Sequence, residues 1–91
     1  MRSREVLEQR QALLKQQIAA NLDLLIGTLA KSPAMRGHNL TTKRQGKTVT
    51  WYVRKDLRRQ VQIMTARSQR VRRLLPQLSQ VNWQLLQQSG D

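Results

Sequence analysis

Basic side chains are the residues of this sequence with the clearest chemical potential, and they concentrate in its middle third. The 91-residue chain has 17 Lys and Arg against five Asp and Glu, a formal net charge of +12, and residues 32–59 hold eight of these bases with only Asp56 as an acid. The eight are Arg36, Lys43, Arg44, Lys47, Arg54, Lys55, Arg58 and Arg59. Lys and Arg, together with hydroxyl side chains, are standard ligands of nucleic-acid phosphates. The sequence therefore predicts a nucleic-acid-binding surface formed by these bases with Thr50 and Tyr52.

Other interpretations of the basic segment stay open. Lysines on an exposed strand can serve only to prevent edge-to-edge pairing of sheets, and an acidic protein could be the partner instead of a nucleic acid. A peripheral membrane role is the least favoured, because the bases do not lie opposite a Trp- and Leu-rich face of one helix.

No arrangement of residues in the sequence suggests catalysis. His38 is the only histidine, cysteine is absent, and the five acids are scattered, so neither a nucleophile–base pair nor a metal site is predicted. Gly46-Lys47-Thr48 matches the end of a phosphate-binding loop, but the upstream glycine is missing and a strand pattern follows. We predict a protein that is not an enzyme and that has no cofactor, no metal and no small-molecule substrate.

The chain shows no sign of a membrane or secreted protein. It has no run of 18 apolar residues and no apolar stretch near its N-terminus that would mark a signal peptide. The absence of cysteine suits a reducing compartment. The expected location is the cytoplasm.

Residues 3–31 carry the periodicity of one long helix. Ser3 is a suitable N-cap, and Glu5 and Glu8 follow in the first turns, where the helix dipole favours acids. Apolar residues recur at spacings of three, four and seven: Leu7, Leu14, Ile18, Leu22, Leu25 and Leu29. Ser32-Pro33 should end the helix, because the residue before a proline avoids the α region. We predict a helix over 3–31 and a loop over 32–38.

Residues 39–53 change to the two-residue period of strands. Gln45-Gly46 lies between two runs rich in Thr, Val, Trp and Tyr, as the turn of a β-hairpin would. This turn pairs Arg44 with Lys47, Thr42 with Val49 and Leu40 with Trp51. One face is then apolar (Leu40, Val49, Trp51, Val53), and the other is polar and rich in hydroxyls (Asn39, Thr41, Lys43, Thr48, Thr50, Tyr52).

Residues 54–89 are predicted to form a second long helix with a heptad seam. The seam positions are Leu57, Val61, Met64, Ser68, Val71, Leu75, Leu78, Asn82 and Leu85. Pro76 removes one backbone hydrogen bond, so the helix is expected to kink there, with a division into two helices as the alternative.

The expected architecture is a mainly α, α+β fold in a single domain over residues 1–91. A basic β-hairpin connects two long helices, which form an antiparallel helical hairpin or coiled coil because their connection is short. The second helix is longer than the first, and its uncovered end predicts a homodimer or protein-partner interface. The predicted interface residues are Leu78, Val81, Trp83, Leu85 and Leu86, with Asn82 as a polar residue that fixes the register.

Several short motifs resemble an uncharacterised family of short bacterial proteins that is often found with transposon-type genes. The motifs are Ile26-Gly27-Thr28-Leu29, Gly46-Lys47-Thr48, Trp51-Tyr52-Val53, Lys55-Asp56-Leu57 and Val81-Asn82-Trp83-Gln84-Leu85-Leu86. The resemblance covers about residues 24–88. Many members carry cysteines in the loop before the hairpin, and this chain would be a cysteine-free variant. The resemblance implies an association with mobile DNA and no catalytic residue.

Two functions follow from these patterns. The first is a non-enzymatic nucleic-acid-binding protein, with DNA favoured over RNA, that holds the phosphate backbone through the hairpin and the start of the last helix. The alternative is a coiled-coil adaptor or assembly subunit of a larger ribonucleoprotein or host-factor complex, because two helices and one hairpin offer little independent core.

Overall fold

The computed structural model describes residues 3–31 and 37–89 of the chain. Its elements are α1 (Arg4–Ala19), β1 (Thr28–Lys31), β2 (His38–Arg44), β3 (Lys47–Val53), a 3-10 turn (Lys55–Leu57) and α2 (Arg58–Ser89). The prediction of an α+β fold is confirmed. The chain divides into two compact units, which we call the helical unit (residues up to 22 and from 69 onwards) and the sheet unit (residues 23–68).

The core of the helical unit lies between α1 and the C-terminal part of α2. Leu7, Leu14, Val81 and Leu85 are buried, and Leu74 and Leu78 pack against them. Polar contacts border this core: Gln11 Nε2 donates to Asn82 Oδ1 at 2.7 Å, and Arg10 Nη2 donates to Gln77 Oε1 at 3.2 Å.

The helix α1 begins where the sequence predicts but ends earlier than predicted. Ser3 is the N-cap, and its Oγ accepts a hydrogen bond from the Val6 backbone N–H at 3.3 Å. The predicted helix over 3–31 is wrong beyond Ala19. Asn21 is buried just after the helix; its Nδ2 donates to the Gln17 carbonyl at 2.7 Å, and its Oδ1 accepts from Arg70 Nη1 at 3.1 Å.

Residues 28–31 form a strand because Gly27 ends any helix before them and β2 lies alongside as a pairing partner. Gly27 has a φ of +151°, which no helix contains, and a Cβ there would lie 2.7 Å from the Thr41 carbonyl oxygen. After this close approach, β1 pairs antiparallel with β2, with Leu29 opposite Leu40. The apolar spacing that predicted helix instead brings Leu25 and Leu29 to the core of the sheet unit.

The predicted hairpin is confirmed in both pairing and register. In β2 and β3, Arg44 lies opposite Lys47, Thr42 opposite Val49 and Leu40 opposite Trp51. Gln45 and Gly46 have φ values of +52° and +79°, and two positive values are the requirement of the type I′ turn that fits twisted hairpins. The hairpin begins at His38 and is part of a three-stranded antiparallel sheet in the order β1-β2-β3.

The core of the sheet unit combines one face of the sheet with the first turns of α2. Leu40, Val53 and Val61 are buried, and Leu25 and Leu29 are partly buried against them. The segment before β1 is fixed to α2 by two hydrogen bonds, from the Leu25 backbone N–H to the Met64 carbonyl at 3.1 Å and from Arg67 Nη1 to the Asp23 carbonyl at 2.9 Å.

The last helix begins at Arg58 rather than residue 54, and α2 continues as one helix through Pro76. The division into two helices is therefore not observed. The predicted seam is wrong at three positions, since Leu57, Leu75 and Asn82 are exposed. In the helical unit, the neighbouring Leu74 and Val81 face the core instead. Which side of α2 faces the core depends on the position of α1, and a heptad pattern does not specify that position.

Candidate nucleic-acid interface

The strand register gives the sheet two faces of different chemistry. We call the first the core face, because its Leu29, Leu40 and Val53 pack in the sheet-unit core. We call the second the open face; its eight residues are Thr28, Ala30, Asn39, Thr41, Lys43, Thr48, Thr50 and Tyr52. Six of the eight are exposed, and Asn39 and Thr41 on the central strand are half-buried. The open face is thus polar and accessible to a ligand.

The open face is organised in rows that cross the strands. Thr28, Thr41 and Thr50 form one row, and the Oγ1 atoms of Thr41 and Thr50 are 3.5 Å apart. Asn39 and Tyr52 are directly opposite each other in the next row. Two of these residues, Thr50 and Tyr52, were predicted as binding residues, and the structure places them on the same face.

Tyr52 is positioned by a close approach to the backbone. A Cβ at Gly37 would lie 2.6 Å from Tyr52 Cε2 and 3.4 Å from Cδ2, so the edge of the ring occupies the space that any other residue would fill. Tyr52 nevertheless remains 61% exposed, so much of its side chain is accessible to a ligand.

Three predicted bases surround the tip of the hairpin. Lys43 lies on the open face, while Arg44 and Lys47 flank the turn as a directly opposed pair on the other face. All three are exposed, and within residues 3–31 and 37–89 none of them forms an ion pair. We call these three residues the tip cluster.

Four predicted bases follow the other end of β3, and we call them the exit cluster (Arg54, Lys55, Arg58, Arg59). Arg54 Nε forms an exposed ion pair with Asp56 Oδ1 at 3.5 Å. Lys55 and Arg59 are exposed, whereas Arg58 is half-buried and its Nε has no partner among the described residues. Because β3 has seven residues, the two clusters are separated by about 20 Å of strand. Arg36 was also predicted to bind and lies outside the described residues.

Part of this surface is hidden in the sequence, because the residues of β1 fall within the apolar periodicity that predicts a helix over 3–31. Thr28 belongs to the sheet and extends the open face beyond the hairpin, whereas the exposed Lys31 of the same strand lies on the other face, opposite His38. Gly27 followed by Thr-Leu-Ala-Lys was the available signal, since an isolated glycine weakens a helix and often precedes a close backbone approach. The sequence predicts Asn39 and Thr41 on the polar side of the hairpin without indicating a binding role for them.

The predicted oligomer interface is largely used within the chain. Val81 and Leu85 are buried against Leu7 and Leu14, and Leu78 packs against the same cluster, so these three are corrected to core residues. The interface was predicted because the C-terminal end of the last helix was expected to extend beyond the first helix. Instead, Leu7 and Leu14 of α1 pack against Val81 and Leu85. Trp83 and Leu86 are 59% and 61% exposed.

Neither a metal-ligand cluster nor a membrane span is found in the part of the chain that the structure describes. No three His, Cys, Asp or Glu side chains of residues 3–31 and 37–89 come together. None of the helices in those ranges is long and apolar enough to cross a membrane. Comparison of the chain with protein-family models, curated proteins and solved structures finds no match.

Proposed function

We propose that this protein binds nucleic acid without catalysing a reaction, and that it holds duplex DNA by its phosphates through the tip and exit clusters. The observation that carries the proposal is the exposure of basic residues at both ends of β3. Residues 23–68 contain ten Lys and Arg against only Asp23 and Asp56. A field of one sign over one small unit attracts a polyanion and raises the rate of encounter.

The dimensions of the basic surface fit a DNA backbone. Consecutive phosphates of one strand advance by about 3.4 Å along the duplex axis, so a separation of about 20 Å corresponds to about six base pairs. Lys and Arg side chains at both ends would give phosphate contacts that fix the protein on the duplex. The arrangement accounts for affinity and leaves sequence preference to other groups.

The salt dependence of binding tests this proposal. With about six phosphates engaged, log Kobs should fall with log salt with a slope of about −5. Replacement of Lys43, Arg44 and Lys47 by Ala should weaken binding to all sequences and reduce the slope to about −3. Fluorescence anisotropy with a labelled 20-base-pair duplex at several NaCl concentrations measures both quantities.

A matched control removes the same number of charges from the helical unit. Lys15, Arg72 and Arg73 are exposed there, and the Lys15→Ala, Arg72→Ala, Arg73→Ala variant should keep the wild-type slope. Arg67 and Arg70 are unsuitable for this purpose, because both donate hydrogen bonds to residues 21–23, whereas the hydrogen bond of Arg73 to the Gln69 carbonyl stays within α2. Affinity that is independent of salt, or an equal loss in both triple variants, would contradict the proposal.

DNA is favoured over RNA because the resemblance described above is to a family found with mobile elements. A role at mobile DNA would also place the protein in the cytoplasm. Duplex DNA, single-stranded DNA and double-stranded RNA compared in one competition assay would separate these ligands. Tightest binding to either of the last two would replace the proposed ligand.

A second candidate function, that of an assembly subunit, is favoured by the exposure of Trp83 and Leu86 on α2. Trp83 and Leu86 are three residues apart and therefore neighbours on the helix surface, and contiguous exposed apolar patches mark protein–protein contacts. A homodimer would present two basic surfaces to one DNA, and the second contact would gain from a high effective concentration. Sedimentation of nucleic-acid-free protein distinguishes a dimer from a monomer, and Trp83→Ala should shift a dimer towards the monomer. Co-purification of a stoichiometric protein would favour the adaptor function.

A further inference from the structure

We infer that the open face of the sheet lies in the major groove of duplex DNA and reads base edges there. This inference rests on the proposed function, since the tip and exit clusters would hold the phosphates beside the groove. It assigns a separate role to the residues between the clusters, namely sequence preference rather than affinity.

The breadth of the sheet excludes the minor groove and is comparable to that of the major groove. Neighbouring strands lie about 4.8 Å apart, so the outer strands of the three-stranded sheet are about 10 Å apart. The major groove of B-DNA is about 12 Å wide and the minor groove about 6 Å. The open face is available for this contact along its length, whereas Leu40 and Val53 of the core face are buried with Val61 of α2.

The side chains of the open face have the chemistry of base readout. A threonine hydroxyl both donates and accepts hydrogen bonds, its methyl group can contact the methyl group of thymine, and an asparagine amide can bind adenine N6 and N7 together. Thr28, Thr41 and Thr50 supply three hydroxyls in one row, and Asn39 supplies the amide in the next. The two acids of residues 23–68, Asp23 and Asp56, lie outside the strands, so no carboxylate on this face opposes DNA.

These groups are available for a ligand. Within residues 3–31 and 37–89, the side chain of Asn39 makes no hydrogen bond, and the hydroxyls of Thr41 and Thr50 have only their 3.5 Å contact with each other. The Asn39 amide is not among the buried, unpartnered polar groups of the described residues, so its donors and acceptor remain accessible to a ligand. Because threonine side chains are small, this row also lets the strands approach the bases closely.

Charge and shape favour a duplex over a single strand. Single-stranded nucleic acids are held mainly by stacking of successive bases on aromatic side chains. Tyr52 is the only aromatic residue of the open face, since Trp51 lies on the core face opposite Leu40. A surface with one aromatic ring, four threonine hydroxyls and basic residues at both ends is suited to a paired groove.

Binding-site selection from a random duplex library tests the inference with the full chain. Wild-type protein should enrich a motif and prefer it over random duplex. The Asn39→Ala, Thr41→Ala variant should reduce that preference by about 10-fold or more, while its affinity for random duplex and its salt slope stay unchanged. Thr42→Ala is the matched control, because Thr42 is the next residue of β2, is also half-buried and lies on the core face.

A second measurement identifies the groove. Replacement of adenine by 7-deazaadenine in the selected motif removes a major-groove acceptor and leaves the minor groove unchanged. Wild-type binding should weaken by about 10-fold at the adenine that contacts Asn39, and Asn39→Ala should be insensitive to the same replacement. Thermal melts of each variant confirm that it folds.

The outcomes separate this inference from the proposed function. Salt-dependent binding with no enriched motif, or a motif preference that Asn39→Ala, Thr41→Ala leaves intact, overturns the inference and leaves phosphate binding in place. Insensitivity to 7-deazaadenine at every position overturns the major-groove assignment. Failure of the wild-type chain to bind duplex DNA at all overturns both.

Discussion

At the scale of single residues, Tyr52 depends on a neighbour that has no side chain. Its ring edge occupies the space where a Cβ at Gly37 would be, and the ring is otherwise exposed. The orientation of the one aromatic side chain on the open face is therefore determined by a glycine one strand away. A substitution at Gly37 should act on binding through the position of Tyr52.

Gly37→Ala should destabilise the protein by about 0.5–1.5 kcal/mol, because the new Cβ overlaps the exposed ring and forces it out of its present rotamer. In a Tyr52→Ala background the same substitution should cost little, because the overlapping atoms are gone. Chemical denaturation of the four proteins of this double-mutant cycle measures the coupling. Equal costs in both backgrounds would show that the ring does not occupy this space.

The hairpin turn contains a local strain that one substitution can relieve. Gln45 has a φ of +52°, a left-handed conformation that asparagine tolerates better than glutamine. Gln45→Asn should therefore stabilise the protein by up to about 1 kcal/mol and raise Tm by about 4–8 °C. Gly46→Ala, at a φ of +79° with open space around it, should lower Tm for the opposite reason. A lower Tm of Gln45→Asn would contradict this account.

At the scale of elements, α1 is held by one stripe of its surface. Leu7 and Leu14 are buried, whereas the adjacent Val6 and Leu13 are 47% and 50% exposed. Residues seven apart lie on the same side of a helix, so the stripe that contacts α2 is one residue wide along much of its length. The loss of one of its members should leave a cavity that neighbours cannot fill.

Leu14→Ala should cost about 2–5 kcal/mol of unfolding free energy, the range for buried Leu-to-Ala changes. Leu13→Ala is a matched control in the same helix turn and should change stability by less than about 0.5 kcal/mol. Urea unfolding followed by circular dichroism measures both. Similar losses in the two variants would mean that Leu13 is buried, in another chain or in this one.

At the scale of the whole molecule, net charge opposes folding. A formal net charge of +12 on 91 residues produces self-repulsion in the compact state, which salt screens over a Debye length of about 10 Å at 0.1 M. Tm should therefore rise between 50 and 500 mM NaCl. The Lys43→Ala, Arg44→Ala, Lys47→Ala variant should show a smaller rise, because three charges of the tip cluster are absent. A Tm that falls with salt would indicate that ion pairs outweigh repulsion.

The charge distribution and the hairpin could be predicted from sequence because both are local properties. The positions of Lys and Arg along the chain are read directly from the sequence. The register of β2 and β3 is set by two turn residues between two runs of alternating apolar and polar residues. The pairing of Arg44 with Lys47 and of Leu40 with Trp51 followed from Gln45-Gly46 alone. The placement of Thr50 and Tyr52 on one polar face followed from the same register.

The other features were decided by tertiary structure, because they depend on which distant surface each apolar side chain meets. Leu25 and Leu29 fit a helical repeat equally well, and only the pairing of β1 with β2 and the close approach of Gly27 to Thr41 made residues 28–31 a strand. Val81 and Leu85 formed an apolar face that either a second chain or α1 could cover, and Leu7 and Leu14 cover it. A sequence records that a side chain must be buried, whereas the partner that buries it is determined by the packing of the whole chain.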